Sequence, residues 1–437
     1  MPHTLPKNTE KVNTKTSKKL FYFLLCLVLL RPSLDIIGQK EFYLYHNLPS
    51  FNFNAIIGCV VFITALFFIL KNLKSIRSTP LFYPIFIFLG LIFLSIFFSL
   101  DYTSSIREFI RLSSIFFLYF LAYKLIESQK DWLLLLKIIL ISYIVPGAFA
   151  FIQLIGGFGL PDDFGGFNRI YGTFTHPNLF AFYTFFILGL ILTLILTKNS
   201  LLPRRSGLNS ESSPFLSFPA ISRKHRSNVI CLQIAAIILT LLLLATYTRS
   251  ALACLMIFIL IFGIFKYRKL LLGSLMFFAL LYLFSDIFQQ RIWELISLDP
   301  YGSVIWRFRL WRDIIPVSLW QPWLGYGSGT FNQLVEYYRG FKWGSLEAHN
   351  DYLKIFVENG ILGLATYLWL IVVLLFSLSK KFIKSIGKEK IMALGIFTIC
   401  LSLFIASFFD NILRTTALQW NLWILLGAWL RQEIRKH

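Results

Sequence analysis

The sequence predicts an all-α membrane protein of about twelve transmembrane helices. Three observations carry that prediction. Of 437 residues, 57% are hydrophobic and only 14% are charged, where an ordinary soluble domain has about a quarter charged. Mean hydropathy is +0.69, too high for a soluble domain or a disordered chain. The apolar residues run in unbroken blocks, not in the alternation of a membrane β-barrel. Each block is close to the ~20 residues a helix needs to cross a bilayer.

The spans are expected near 20–37, 53–70, 81–100, 109–126, 132–155, 178–197, 229–247, 250–265, 270–287, 351–378, 391–409 and 416–430. In the first, Arg31-Pro32 predicts a kink or a partial re-entry. No small-residue cleavage site follows 20–30, so this reads as a retained span and not a leader. Only Thr246–Ser250 separates the seventh span from the eighth. Cys26, Cys59, Cys231, Cys254 and Cys400 all fall inside spans without paired or metal-like spacing, so neither a disulfide nor a metal site is expected.

Basic loops orient the bundle. With both termini in the cytoplasm, the domains are a basic N-terminus 1–19, helices one to nine in 20–287 interrupted by a basic loop 198–228, an extracytoplasmic loop 288–350, helices ten to twelve in 351–430 and a tail 431–437. The cytoplasmic pieces hold 28 of the 42 Lys and Arg. The net charge of +21 is then a matter of topology, and no nucleic-acid partner is implied. The protein is expected in the cytoplasmic (inner) membrane, with the lipid bilayer as its first partner.

The kind of cation differs by side. Inside, Lys outnumbers Arg 20 to 8; outside, Arg outnumbers Lys 11 to 3. Sidedness alone does not ask for that exchange. Phosphate recognition does, because the guanidinium fork binds phosphate oxygens in pairs and stays charged when desolvated. A phosphate-bearing ligand on the outer side is the expectation.

The longest outer segment holds the densest polar chemistry. Val304, Phe308, Trp311, Ile315 and Leu319 form one helical stripe, with Arg307 and Arg312 flanking it and Arg309 and Asp313 pointing away. With Trp306, Trp320 and Trp323, the stripe suits a helix at the outer lipid–water boundary. Pro322 and Leu324–Gly329 end it in a Gly-rich turn, which no Lys-Ser/Thr pair follows and which is therefore no Walker loop. His349 is expected at the mouth of the tenth span, sharing a helix face with Leu353, Phe356, Gly360 and Gly363 and pointing into the bundle. It is a structural hydrogen-bonding residue, a general base or a phosphate-contacting donor. Glu358, deeper in that span, is expected to pair with an Arg or a backbone group.

Arg249 sits in the gap between spans seven and eight, and Arg169 in the approach to the sixth. Pro177 suits a helix start, with Thr175 or Asn178 as its cap. Arg107 and Arg111 are expected to snorkel. Asp162-Asp163 is a candidate metal patch by residue type, but two adjacent acids in a Gly-rich loop read as a solvated pair.

Five ordered segments resemble the O-antigen ligase/polymerase superfamily of bacterial membrane glycosyltransferases. They are Arg169-Ile-Tyr-Gly-Thr-Phe-Thr-His-Pro-Asn178, Thr248-Arg249-Ser250, Arg307-Phe-Arg-Leu-Trp311, Pro322-Trp-Leu-Gly-Tyr-Gly-Ser-Gly-Thr-Phe331, and His349-Asn-Asp-Tyr-Leu353 followed by Glu358-Asn-Gly-Ile-Leu-Gly363. Thr175-His-Pro-Asn178 departs from the Gly-Asn-Pro-Asn common in that family, which leaves the role of His176 open, as it is for Arg111 and Arg312.

The resemblance implies a GT-C-like fold, no metal or other cofactor, and a glycan on undecaprenyl diphosphate as the donor. Arg249, Arg307 and then Arg169 would stabilise the departing diphosphate, and His349 would deprotonate the acceptor hydroxyl. Direct displacement with inversion is expected, since no protein nucleophile stands out. Lipid A core is the preferred acceptor. Repeat-unit polymerisation and transfer to a protein hydroxyl share the same plan. A secondary transporter or lipid flippase is the competing class, but there is no convincing internal repeat and the polar residues gather at the outer face.

Overall fold

The computed structural model describes residues 14–39, 41–42, 51–161, 168–199, 223–265, 267–286, 289–290, 293, 303–340 and 344–432. They are helical almost throughout. In chain order the main helices are α1 (Thr14–Leu30), α2 (Phe53–Lys71), α3 (Phe82–Ser95), α4 (Tyr102–Leu125), α5 (Gln129–Ile141), α6 (Ile144–Gly156), α7 (Pro177–Asn199), α8 (Arg223–Ala245), α9 (Arg249–Phe265), α10 (Arg268–Phe284), α11 (Ser303–Ser318), α12 (Phe331–Arg339), α13 (Asp351–Lys384), α14 (Gly387–Ala406) and α15 (Thr416–Arg431). Each expected span overlaps a helix or a pair of helices. Among the described residues, Phe53–Lys71, Gln129–Gly156, Pro177–Lys198, Asp351–Lys384 and Gly387–Ala406 are long and apolar enough to cross a membrane. This is the pattern of an all-α membrane protein. Asp162-Asp163 and most of the loop 198–228 lie outside the described residues.

Burial decides which helices are central. α4 is buried without a break from Leu112 to Ala122, and α15 from Ala417 to Trp429. A helix apolar on all sides belongs in the middle of a bundle, and these two pack against each other. α7 is buried along most of its length and packs on α8 and α14. Phe116 and Tyr119 of α4 meet Trp423 edge to face.

Three local expectations change. The first helix ends at Leu30, before Pro32, and residues 31–36 turn. Arg31 and Asp35 pair there at 2.8 Å, both buried. The fifth span is two helices end to end, α5 and α6. Asp313 does not point away; it accepts from Arg339 Nε of α12 at 2.9 Å.

α13 is broken. Gly360 has φ 64° and ψ −169°, a region essentially restricted to glycine. The Gly-rich loop fills the break. Tyr326 and Gly327 N–H donate to the carbonyls of Val357 and Glu358 at 3.1 and 2.8 Å, and Ile361 N–H donates to Pro322 O at 2.7 Å. Asn359 Oδ1 accepts from Ser328 Oγ at 2.6 Å and Ser95 Oγ at 3.1 Å. Glu358 Oε1 accepts from Phe331 N–H at 3.1 Å, the backbone partner expected for it. The break, which frees backbone groups inside an apolar helix, is thus repaired by another backbone.

α11 uses two apolar faces. Trp306, Leu310, Ile314 and Val317 are buried against α12 and the loop at 344–350. The stripe expected from the sequence is mostly exposed at Phe308, Ile315 and Leu319.

Candidate active site

The site forms where the starts of α7, α9 and α13 meet the loop between α14 and α15. Its hub is Asp410, which is 4% exposed. Asp410 Oδ2 accepts from Asn178 Nδ2 at 2.9 Å and from Ser250 Oγ at 3.0 Å. Asp410 Oδ1 accepts from Asn411 N–H at 2.9 Å. His349 Nδ1 lies 3.4 Å from the same oxygen, a close approach and not a well-aligned hydrogen bond. Burial favours the neutral acid, but His349, Arg307 and the Asn411 N–H outweigh it and hold Asp410 well below the usual carboxylate range.

His349 does not share a helix face with Leu353 and Phe356. α13 starts at Asp351 with Asn350 as its cap, whose side chain accepts from Leu353 N–H. His349 precedes that cap with φ 45°. The turn swings the imidazole toward Asp410 and against Trp306, whose ring it meets edge on at 5.3 Å. The inward orientation therefore holds, with a left-handed residue as its cause. Among the described residues the only other non-glycine with positive φ is Tyr247, in the gap between α8 and α9. Such backbones persist only where their surroundings fix them, and they concentrate at functional sites.

Arg169, Arg249 and Arg307 lie close enough to repel one another and to feel Asp410. Arg169 is held by the turn between α8 and α9 and by Asn178 of α7. Its Nε donates to Thr246 O at 2.8 Å, and its Nη2 to Asn178 Oδ1 at 2.8 Å and Thr248 Oγ1 at 3.1 Å. Burial and the two neighbouring guanidinium groups, against the pull of Asp410, lower it to about 10, so it remains a cation at neutral pH. Arg307 donates from Nη1 to Phe409 O at 2.9 Å. Its Nε is buried and has no acceptor among the described residues. Arg249 opens α9 at its first residue. Three cations around one carboxylate leave a surplus of positive charge, which is suited to an anion.

Arg249 also belongs to a second feature. With Tyr247, Leu241, Leu244, Leu252 and Met256 it lines an apolar cavity of about 610 Å³ that extends to Phe278 and Tyr282 of α10. The cavity runs from Arg249 two turns along α9 to Met256. A cation thus stands at one end of a slot with the lining of a lipid tail.

The residues that the sequence leaves open, His176, Arg111 and Arg312, have partners of their own. His176 Nδ1 accepts from Asn178 N–H at 3.1 Å and so caps α7, the part expected of Thr175 or Asn178. Asn178 is instead the bridge between Arg169 and Asp410. Burial and Arg169 lower His176 from 6.5 to about 4. The unfolded chain then binds the extra proton between pH 6.5 and 4. Stability from neutral His176 is present above pH 6.5 and lost as pH falls to 4, by about 3 kcal/mol in all. Melting of the purified protein should drop over that window. In His176→Gln the drop should shrink by that amount; an equal drop in both would remove His176 as its source. Arg111 does not snorkel; it forks onto Glu108 at 2.7 and 2.6 Å and reaches Leu413 O at 2.9 Å. Arg312 is largely exposed, 3.7 Å from Asp313.

Asp410 has no counterpart among the sequence candidates. The signal was a lone acid in the short gap Phe408-Phe-Asp-Asn-Ile-Leu-Arg414, on the same side as His349. A comparison with curated proteins finds no match. Residues 234–368, which carry Arg249, Arg307 and His349, match the family model described as O-antigen ligase, and this match supports membership of the chain in the O-antigen ligase superfamily.

Proposed function

We propose that this O-antigen ligase/polymerase-type membrane enzyme transfers a glycan en bloc from undecaprenyl diphosphate to an acceptor hydroxyl. The acceptor is lipid A core, the reaction inverts the anomeric carbon, and no metal is required. The work takes place on the outer side of the cytoplasmic membrane. The observation that carries the reading is the meeting at Arg249 of the apolar cavity and the cationic cluster, next to the His349–Asp410 pair. An isoprenoid tail fits the first, a diphosphate the second. The gathering of polar groups at one end of the bundle favours transfer over transport.

The chemistry follows from the geometry. Asp410 turns Nδ1 of His349 toward itself and leaves Nε2 for the acceptor. Nε2 takes the hydroxyl proton as that oxygen attacks the anomeric carbon from the face opposite the diphosphate. The bond from the anomeric carbon to the diphosphate oxygen breaks, and its electron pair leaves with the diphosphate. Arg249, Arg307 and Arg169 stabilise that charge, and the unsatisfied Nε of Arg307 gains an acceptor. The new imidazolium rests against Asp410.

Purified protein given a defined undecaprenyl-diphosphate glycan and a choice of acceptors tests this, with products read by mass spectrometry. A glycosylated acceptor plus undecaprenyl diphosphate is the expected result. No release of undecaprenyl diphosphate with any acceptor overturns the reading. Arg249→Lys is expected to raise the donor KM and lower kcat/KM about 10- to 100-fold, because a point charge cannot replace the fork. Wild-type donor KM in that variant would make Arg249 a structural cation only.

A further inference from the structure

A second polar cluster adjoins His349 and takes no part in the chemistry above. Glu347, two residues before His349, accepts at Oε1 from Arg414 Nη1 at 2.6 Å and from Asn332 Nδ2 at 3.0 Å. Its Oε2 accepts from Asn411 Nδ2 at 3.3 Å. The two clusters are interleaved along the chain. Asp410 faces His349, and the next residue, Asn411, faces Glu347. His349 therefore stands between the arginine cluster, reached through Asp410 and Asn178, and this carboxylate–amide–guanidinium set.

The two sides differ in charge. Around Asp410 three guanidinium groups face one carboxylate. Here Glu347 pairs with Arg414, the nearby Lys354 is taken up mainly by Glu358 and Glu108, and two amides complete the set. Burial favours the neutral acid at Glu347, but Lys354 and Arg414 outweigh it and keep the carboxyl below its usual range. Glu347 fixes both amides with their NH₂ groups toward itself, which turns their oxygens away. Asn332 Oδ1 and Asn411 Oδ1 are buried and have no donor among the described residues. The arrangement reaches the surface through Arg414, whose side chain is 53% exposed.

Orphaned amide oxygens call for donors, a carboxylate accepts and a guanidinium donates. A group that donates and accepts at adjacent atoms, without net charge, satisfies all of them, and vicinal sugar hydroxyls are such a group. We infer that Glu347, Arg414, Asn332 and Asn411 form the acceptor subsite, and that it reads an uncharged sugar beside the attacking hydroxyl. This rests on the transfer reading and adds the chemical class of acceptor to it. A phosphorylated sugar would meet Glu347 without a surplus cation.

The test is binding, so it does not depend on turnover. Full-length protein in lipid nanodiscs is titrated with neutral trisaccharides of hexose, aminosugar and deoxyhexose type, each free and lipid-linked, and with phosphorylated counterparts. Wild type should bind at least one neutral trisaccharide more tightly than its phosphorylated form. Glu347→Gln should weaken that binding about 10- to 100-fold, the cost of losing a charged hydrogen-bond partner. Asn332→Ala, on α12 and outside the chain segment that carries His349, should weaken it in the same direction and keeps the test open where Glu347→Gln fails to fold. Arg77→Lys, exposed just after α2, should leave it unchanged. Equal weakening of free and lipid-linked forms identifies the sugar as the group that is read.

Unchanged affinity in Glu347→Gln and Asn332→Ala overturns the inference. So does tighter binding of the phosphorylated form, or no binding of any neutral trisaccharide to wild type. A structural tether for the His349 turn would lower kcat and leave these affinities alone. Sugar binding as expected, without any transferred product, would sink the transfer reading and leave the subsite standing.

Discussion

His349→Ala is expected to fold and to lose about 10²- to 10⁴-fold in kcat, the usual worth of a positioned general base. The imidazole is near the surface of its cluster, with a side chain 15% exposed, so its removal leaves a small gap, and Asp410 keeps its bonds from Asn178, Ser250 and the Asn411 N–H. Donor affinity should change little, because the arginines that would hold the diphosphate have other anchors, Arg169 on Thr246 and Asn178 and Arg307 on Phe409. Asp410→Asn should lower kcat by a similar factor for another reason. It keeps the shape, but it removes the charge that would stabilise imidazolium and offers an amide in its place. It should also cost more stability than His349→Ala, since Asn178, Ser250 and the Asn411 N–H all lose a charged acceptor, each bond worth about 1.5–3 kcal/mol. Turnover by His349→Ala at the wild-type rate would end its candidacy as base.

Gly360→Ala should be the most damaging single methyl in the described part of the chain. A Cβ there would collide with the Trp323 carbonyl oxygen, and φ 64° with ψ −169° admits almost nothing but glycine. The clash falls on backbone, which cannot rotate aside. Strain of about 1–3 kcal/mol adds to the loss of main-chain bonds at about 1 kcal/mol each, so a drop of more than about 3 kcal/mol is expected. Activity should fall with it, because the displaced loop joins α11, which bears Arg307, to the helix that follows His349. Gly58→Ala is the control: a Cβ there meets open space inside a helix, and alanine is the better helix former. Thermal melting of the two variants side by side checks the pair. Equal melting temperatures would mean that the break in α13 tolerates a side chain.

The helices were legible in the sequence because lipid gives an apolar segment few other choices. What was missed follows from tertiary contacts. The broken α13 reads as one continuous span, since Glu358-Asn-Gly360 sits inside an apolar run and the loop that repairs the break lies about 30 residues earlier. Spacing alone places His349 on a helix, whereas the chain holds it in a left-handed turn before one. The arginines were visible through their number on one side. Asp410 was not, because a single carboxylate between two spans acquires meaning only when Asn178 of α7, Ser250 of α9 and His349 from the turn before α13 converge on it. His176 shows the converse: a residue open to a catalytic role that is occupied in capping α7.

The seam between the Gly-rich loop and α13 is stitched chiefly through main-chain atoms. Such a joint is indifferent to most substitutions on either border, provided Gly325 and Gly360 stay small at their crossing. Segments 303–340 exchanged between distant homologues should therefore seat without retuning their neighbours, which makes this stretch a natural cassette for transplanting specificity.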